Sequence, residues 1–215
     1  MQSLVVFILS LSVHEYAHAR VAFALGDDTA ARQGRLTLNP FAHIDPIGTI
    51  VMPILGAMAS GISVIGWAKP VPVTPHRLSR RFSMRTGMMF VSVAGPASNV
   101  ALAVLCLALF WLLFASGFVP AFSYDRPVSA FLFNMIAANV GLAIFNLLPI
   151  PPLDGHRLLP RSMDGVVEFL GRYSFVFFIL IMFGGARYLS VPVTYVVNGL
   201  FALFGMPYDF FSFGR

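Results

Sequence analysis

Residues Leu4 to Leu25 read LVVFILSLSVHEYAHARVAFAL, an apolar run with His14, Glu15 and His18 set inside it. About 20 apolar residues are enough to cross a bilayer as a helix. On a helix, residues four apart lie one above the other on one face, so His14 and His18 can offer two imidazole nitrogens to a single metal ion. Glu15 follows the first of them, where a carboxylate stands beside the metal and can move a proton without being a ligand. His-Glu-x-x-His is the pattern of zinc hydrolases. With five histidines and only Glu15 and Glu168 as glutamates, chance placement gives it on the order of once in a thousand such chains. Two imidazoles and a carboxylate in an apolar segment also carry a cost of several kcal/mol unless they are paired or coordinated. A catalytic metal site accounts for this; a structural His/Glu network and a non-hydrolytic metal site remain the alternatives.

Composition sets the environment. Hydrophobic residues make up 58% of the 215 and charged residues 11%, whereas soluble domains carry about 25% charged residues. The chain has too little polar surface to cover a soluble globule and reads as an integral membrane protein. The net charge of +5 does not indicate nucleic acid, because the basic residues sit in short loops between apolar runs, as membrane orientation requires. Cys106 is the single cysteine, which excludes an internal disulfide and a cysteine zinc cluster. The N-terminal run lacks a positive leader and contains the motif itself, so it is expected to be a retained first membrane helix.

Six apolar segments follow one another at about 1–25, 47–66, 87–118, 128–148, 173–183 and 191–204. The expected fold is an all-α polytopic membrane protein, a bundle of about five to six membrane segments in one domain over 1–215, with a re-entrant or extended stretch after the first helix. Gly26, Asp27 and Asp28 close the first helix, and Thr29 to Pro46 reads as a short extended piece with turns. His43 in that piece is a loop residue by default and a minor ligand candidate. Pro70, Pro72 and Pro75 make 69–75 extended. In the third segment, Ala94-Gly95-Pro96-Ala97-Ser98-Asn99 permits close helix contact, and Asn99 needs a partner if it faces inward. The last two segments are two short crossings or a helical hairpin.

The fourth segment ends abruptly at Asn146-Leu147-Leu148-Pro149-Ile150-Pro151-Pro152-Leu153-Asp154-Gly155. Three prolines in four positions cannot continue a helix, and broken backbone at membrane depth is tolerated where it is buried or lines a polar cavity. Asp154 is then either a third metal ligand beside two histidines, leaving a fourth position for water, or a helix-capping residue before Gly155. The loop 68–86 holds Lys69, Arg77, Arg80, Arg81 and Arg85 with no acidic residue, and Arg157, Arg161 and Arg172 follow Gly155; both are expected on the cytoplasmic side. For His14 and His18 to meet Asp154, the first helix must run inward. The segment 47–66 then starts and ends on one face, dipping in and returning.

These residues resemble the site-2 protease family of intramembrane zinc metalloproteases. The resemblance rests on His14-Glu15-Tyr16-Ala17-His18 and on Asn146 to Gly155, with Leu38 to Pro46, Gly66 to Val73 and Ala94 to Asn99 similar to a compact prokaryotic branch lacking PDZ and CBS segments. It runs from near the N-terminus to about Arg161. It implies one zinc per chain bound by His14, His18 and Asp154, with Glu15 as general base and acid and Asn146 holding unwound substrate. It implies hydrolysis of peptide bonds in or near transmembrane helices of membrane-protein substrates, in a prokaryotic inner membrane, with the site toward the cytoplasm. The stretch 29–67 is a candidate for pairing with extended substrate by edge addition. The rival functions are a membrane metal-binding or transport protein and a catalytically silent helix-binding adaptor, neither of which needs Glu15. Two histidines and a carboxylate also suit iron or cobalt.

Overall fold

The computed structural model describes residues 2–51, 68–118, 127–180 and 186–206. Its frame is α1 (Gln2–Ala24), α3 (Met84–Ala115) and α4 (Pro127–Asn146), with a four-residue α2 (Thr29–Arg32) after α1 and three C-terminal helices, α5 (Asp164–Arg172), α6 (Ser174–Leu180) and α7 (Ala186–Leu203). No strand occurs among the described residues, so the all-α expectation holds. Helices α1, α3 and α4 are long and apolar enough to cross a membrane, and the apolar part of α7, Leu189–Leu203, is shorter. The segment expected to re-enter, 47–66, has a π-helical turn at Pro46–Val51, and the rest of it lies outside the described residues.

Helix α3 packs along both α1 and α4, and α7 packs on α4. Their shared core includes Val6, Leu107, Phe110, Phe133, Ile136, Val197 and Phe201. Leu105, Leu109 and Leu112 on α3 face outward and are 65%, 45% and 57% exposed, an apolar surface that lipid rather than water satisfies. The core thus lies between helices, and this outward face of α3 is apolar as well.

The end of α1 is tied down by its own loop. Gly26 takes φ +100°, a conformation glycine accepts without strain, and Asp27 N–H returns to Ala22 O at 2.9 Å, closing the helix in a glycine C-cap. Asp27 is buried. Its carboxylate accepts from Thr29 N–H at 3.0 Å, from the Thr29 hydroxyl and from Thr74 N–H at 2.6 Å. Ser79 N–H caps Leu25 O at 2.6 Å. The loop before α3 is thereby strapped across the C-terminal end of α1.

Where an extended piece was expected after Asp28, the chain first turns through α2. Asp28 holds Arg32 one turn on, at 2.7 Å, and also Arg77 at 2.7 Å. The weakly alternating residues Arg35 to Leu38 follow α2 and form no strand. The 68–74 segment is free of helix, and a 3-10 turn follows at Pro75–Arg77. Ser83 caps α3 by accepting from Thr86 N–H at 3.1 Å, and Pro96 lies within that helix.

Candidate metal centre

Helix direction brings the motif residues together. As α1 proceeds from Ser10 to His18, its partners on α3 recede from Asn99 to Val91, so the two helices are antiparallel. Asn139 of α4 bonds Ser10 and Asn99, and the chain beyond α4 returns to His14 and His18 through Asp154. Helices α1 and α4 therefore run the same way, the relation the charge pattern requires. His18 lies six residues before the end of α1, about 9 Å along the axis. The cluster is consequently sunk within the apolar frame, near one end.

His14 Nε2 and His18 Nε2 are 3.0 Å apart, and each is 3.2 Å from Asp154 Oδ2. A tetrahedral zinc with ligand bonds of about 2.0–2.1 Å separates its ligand atoms by about 3.3 Å, so this triangle has the right size. The protonation pattern agrees. Asn139 Nδ2 donates to Met135 O at 2.8 Å and to Ser10 Oγ at 2.8 Å, which leaves its Oδ1 to accept from Asn99 Nδ2 at 2.7 Å. Asn99 then presents Oδ1 to His14 Nδ1 at 2.6 Å, and Val91 O faces His18 Nδ1 at 2.7 Å. Both Nδ1 atoms must donate, so in the neutral rings both Nε2 atoms carry lone pairs turned toward each other. Two lone pairs and a carboxylate converging at 3 Å suit a cation, and among the described residues these three form the one such group.

Asp154 Oδ2 faces both Nε2 atoms, in the position of a third donor atom. It opens a 3-10 turn, Asp154–Leu158. A Cβ on Gly155 would collide with the Leu147 and Leu148 carbonyls, so glycine is what lets the proline-broken loop fold back toward α1.

Glu15 is 9% exposed. Its Oε2 accepts from Val71 N–H at 2.8 Å, and it lines a cavity of about 800 Å³ together with His14, His18 and Asp154. Leu11, Val71, Val73, Leu142, Phe145 and Phe175 supply apolar wall, and Asn146 lies on the same wall. Asn146 Nδ2 donates to Leu142 O at 3.0 Å, one turn back on its own helix. His43, His76 and His156 are not part of the group formed by His14, His18 and Asp154. His43 is buried with Nε2 on Thr37 O at 2.9 Å, and His156 Nδ1 meets Leu153 O at 2.5 Å.

Two residues belong to the centre that their sequence context marked only as helix-packing. Gly95 lies against both imidazoles, and a Cβ there would stand 2.6 Å from His14 Nε2 and closer still to His18 Nε2. Asn99 is fully buried and sets the His14 tautomer. The small-residue run 94–98 and the need of Asn99 for a partner were the available signals; the partner itself depends on how α1 and α3 register.

The comparisons bear on this geometry. The sequence pattern described as "Peptidase family M50" matches residues 123–183, which include Asp154. A Bacillus subtilis protein named "Putative zinc metalloprotease YwhC" is 39% identical over 183 residues, 82% of this chain and 78% of that protein. A Mycolicibacterium smegmatis protein, "Putative zinc metalloprotease Rip2", is 36% identical over 161 residues, covering 74% of this chain and 56% of its own length. The Mycobacterium tuberculosis H37Rv protein of that name is 35% identical over 157 residues, 71% of this chain and 54% of its own. No solved structure matches the chain.

Proposed function

This chain belongs to peptidase family M50 and is a multi-pass membrane metalloendopeptidase; from that premise we propose that it hydrolyses peptide bonds in or near the transmembrane helices of membrane-protein substrates. One zinc per chain would be held by His14, His18 and Asp154, with Glu15 as base and acid. The observation that carries this reading is the triangle of donor atoms at 3.0–3.2 Å, sunk within apolar helices and opening on a mostly apolar cavity.

Bound there, zinc supplies Lewis acidity, polarising a carbonyl and bringing the pKa of water toward about 7. The chain's own residues do the rest. Glu15 takes a proton from the attacking water as its oxygen bonds the scissile carbonyl carbon, then delivers that proton to the amide nitrogen as the C–N bond breaks. The Val71 N–H on Oε2 fixes the carboxylate's direction. Asn99 and Val91 O keep both imidazoles in one tautomer. The apolar wall receives the side chains of a helical segment, and Asn146 on that wall is assigned to the unwound backbone.

We place the centre toward the cytoplasmic face of a prokaryotic inner membrane. Lys69, Arg77, Arg80, Arg81 and Arg85 precede α3, and Arg157, Arg161 and Arg172 follow α4, all flanking the end of the bundle where the centre lies. The test of the activity is Glu15→Gln beside the parent, each with zinc and a helical membrane substrate. Cleavage by the parent alone, with equal metal in both, is the expected result. Equal cleavage, or none from either across a wide substrate panel, points instead to a metal-binding or adaptor protein.

A further inference from the structure

The peptide group joining Pro70 to Val71 touches two charged side chains at once. Its N–H donates to Glu15 Oε2 at 2.8 Å, and its carbonyl accepts from an Arg35 terminal nitrogen at 2.9 Å. The other terminal nitrogen of Arg35 donates to Lys69 O at 2.8 Å and Ala42 O at 3.0 Å. Arg35 is 7% exposed, and among the described residues it has no carboxylate partner. A buried charge ordinarily needs one; here three carbonyl dipoles serve instead.

We propose that Arg35 is a positioning residue for Glu15, acting through this one peptide group. A peptide with a cation at its oxygen and an anion at its N–H is polarised by both, and each hydrogen bond strengthens the other. The guanidinium thereby holds the peptide plane so that its N–H aims at the carboxylate. Loop anchorage alone does not need this contact. Lys69 N–H already ties one end of the segment to His43 O at 3.0 Å, and Thr74 N–H ties the other to Asp27 at 2.6 Å. Arg35 adds the middle, where Pro70 and Pro72 have no N–H and Val71 supplies the sole main-chain donor of the three residues. The proposal rests on the proton-shuttling role given to Glu15 above.

Hydrogen exchange and cleavage together test it on the full-length protein. Arg35→Gln is expected to speed exchange of the Val71 amide several-fold to about tenfold, as loss of one hydrogen bond does. It should lower kcat by up to about 100-fold, as misplacing a catalytic group by about 1 Å does, with KM near the parent's, and Arg35→Lys should fall between. Val71→Pro deletes the N–H, whereas Val71→Ala keeps it and controls for the side chain. If Arg35 works through this peptide, Arg35→Gln adds no further loss of kcat in the Val71→Pro background. Unchanged Val71 exchange in Arg35→Gln, kcat losses that multiply in the double variant, or a rise in KM with kcat intact would each overturn the proposal. Should Arg35→Gln fail to fold, the Val71 pair decides: Val71→Pro as active as Val71→Ala overturns it. A parent that cleaves nothing removes the peptidase reading itself, whereas unchanged Val71 exchange in a protein whose parent cleaves removes only the role of Arg35.

Discussion

Replacing Gly95 by alanine should weaken metal binding at the centre while leaving the helix intact. A Cβ at residue 95 would stand 2.6 Å from His14 Nε2 and closer to His18 Nε2, against a relaxed contact of about 3.5 Å. Each ring must therefore retreat by about 1 Å. Metal–nitrogen bonds near 2.0–2.1 Å tolerate errors of about 0.2 Å, so a shift of that size removes the ion from bonding reach of at least one imidazole. The expected loss is about 10- to 100-fold in metal affinity and about 100-fold in rate. Global stability should move far less. Alanine gains about 1 kcal/mol over glycine in a helix interior, offsetting part of an overpacking cost of about 1–3 kcal/mol. Gly141→Ala on α4 is the control, because its Cβ would meet Val193 at an ordinary 3.8 Å. The assay is retained metal after dialysis against graded chelator, beside a thermal melt in detergent. Parent-like metal retention and cleavage by Gly95→Ala would mean that α1 and α3 do not meet as described.

Asn99→Leu should weaken metal binding about 10- to 100-fold, because it leaves His14 Nδ1 without its acceptor and breaks the chain to Asn139; chelator titration checks it. Asp27→Ala strands the Thr29 and Thr74 amides and should lower stability by about 1–3 kcal/mol, read from a denaturation curve in detergent. For Asp28, the Arg32 hydrogen bond, together with Arg77, holds the carboxyl below its usual 3.8. A carboxyl lowered in the fold adds stability above its unfolded pKa and loses it as pH falls through the folded value. The melting difference between parent and Asp28→Asn should therefore be present near neutrality and close in acid.

Much of the centre could be read from the chain because it depends on short-range geometry. The helical repeat alone puts His14 and His18 on one face, and three prolines at 149, 151 and 152 announce broken backbone just before Asp154. Apolar length marked the spans of α1, α3 and α4 equally directly. Gly95 and Asn99 were visible only as a small residue and a polar residue on an apolar helix. Their meeting with His14 and His18 joins residues more than seventy positions apart and is decided by the register of two helices, which no local pattern encodes. Arg35 was harder still. Its partners are the carbonyls of Ala42, Lys69 and Pro70, and main-chain acceptors leave no residue-type signature. Asp28 and Arg32 were in plain view one turn apart, and the short helix they bracket lies ahead of the faintly alternating residues 35–38.

The claim on which all else depends is that two imidazoles of α1 and the Asp154 carboxylate share one ion. X-ray absorption at the metal edge of the purified protein, with metal stoichiometry on the parent and on His14→Ala, His18→Ala and Asp154→Ala, addresses it directly. The account expects one ion per chain, a shell of two imidazole nitrogens and carboxylate oxygen at about 2.0–2.2 Å, and loss of that ion in each variant. A parent that binds no ion, a shell without imidazole, or full occupancy in any of the three variants would contradict it.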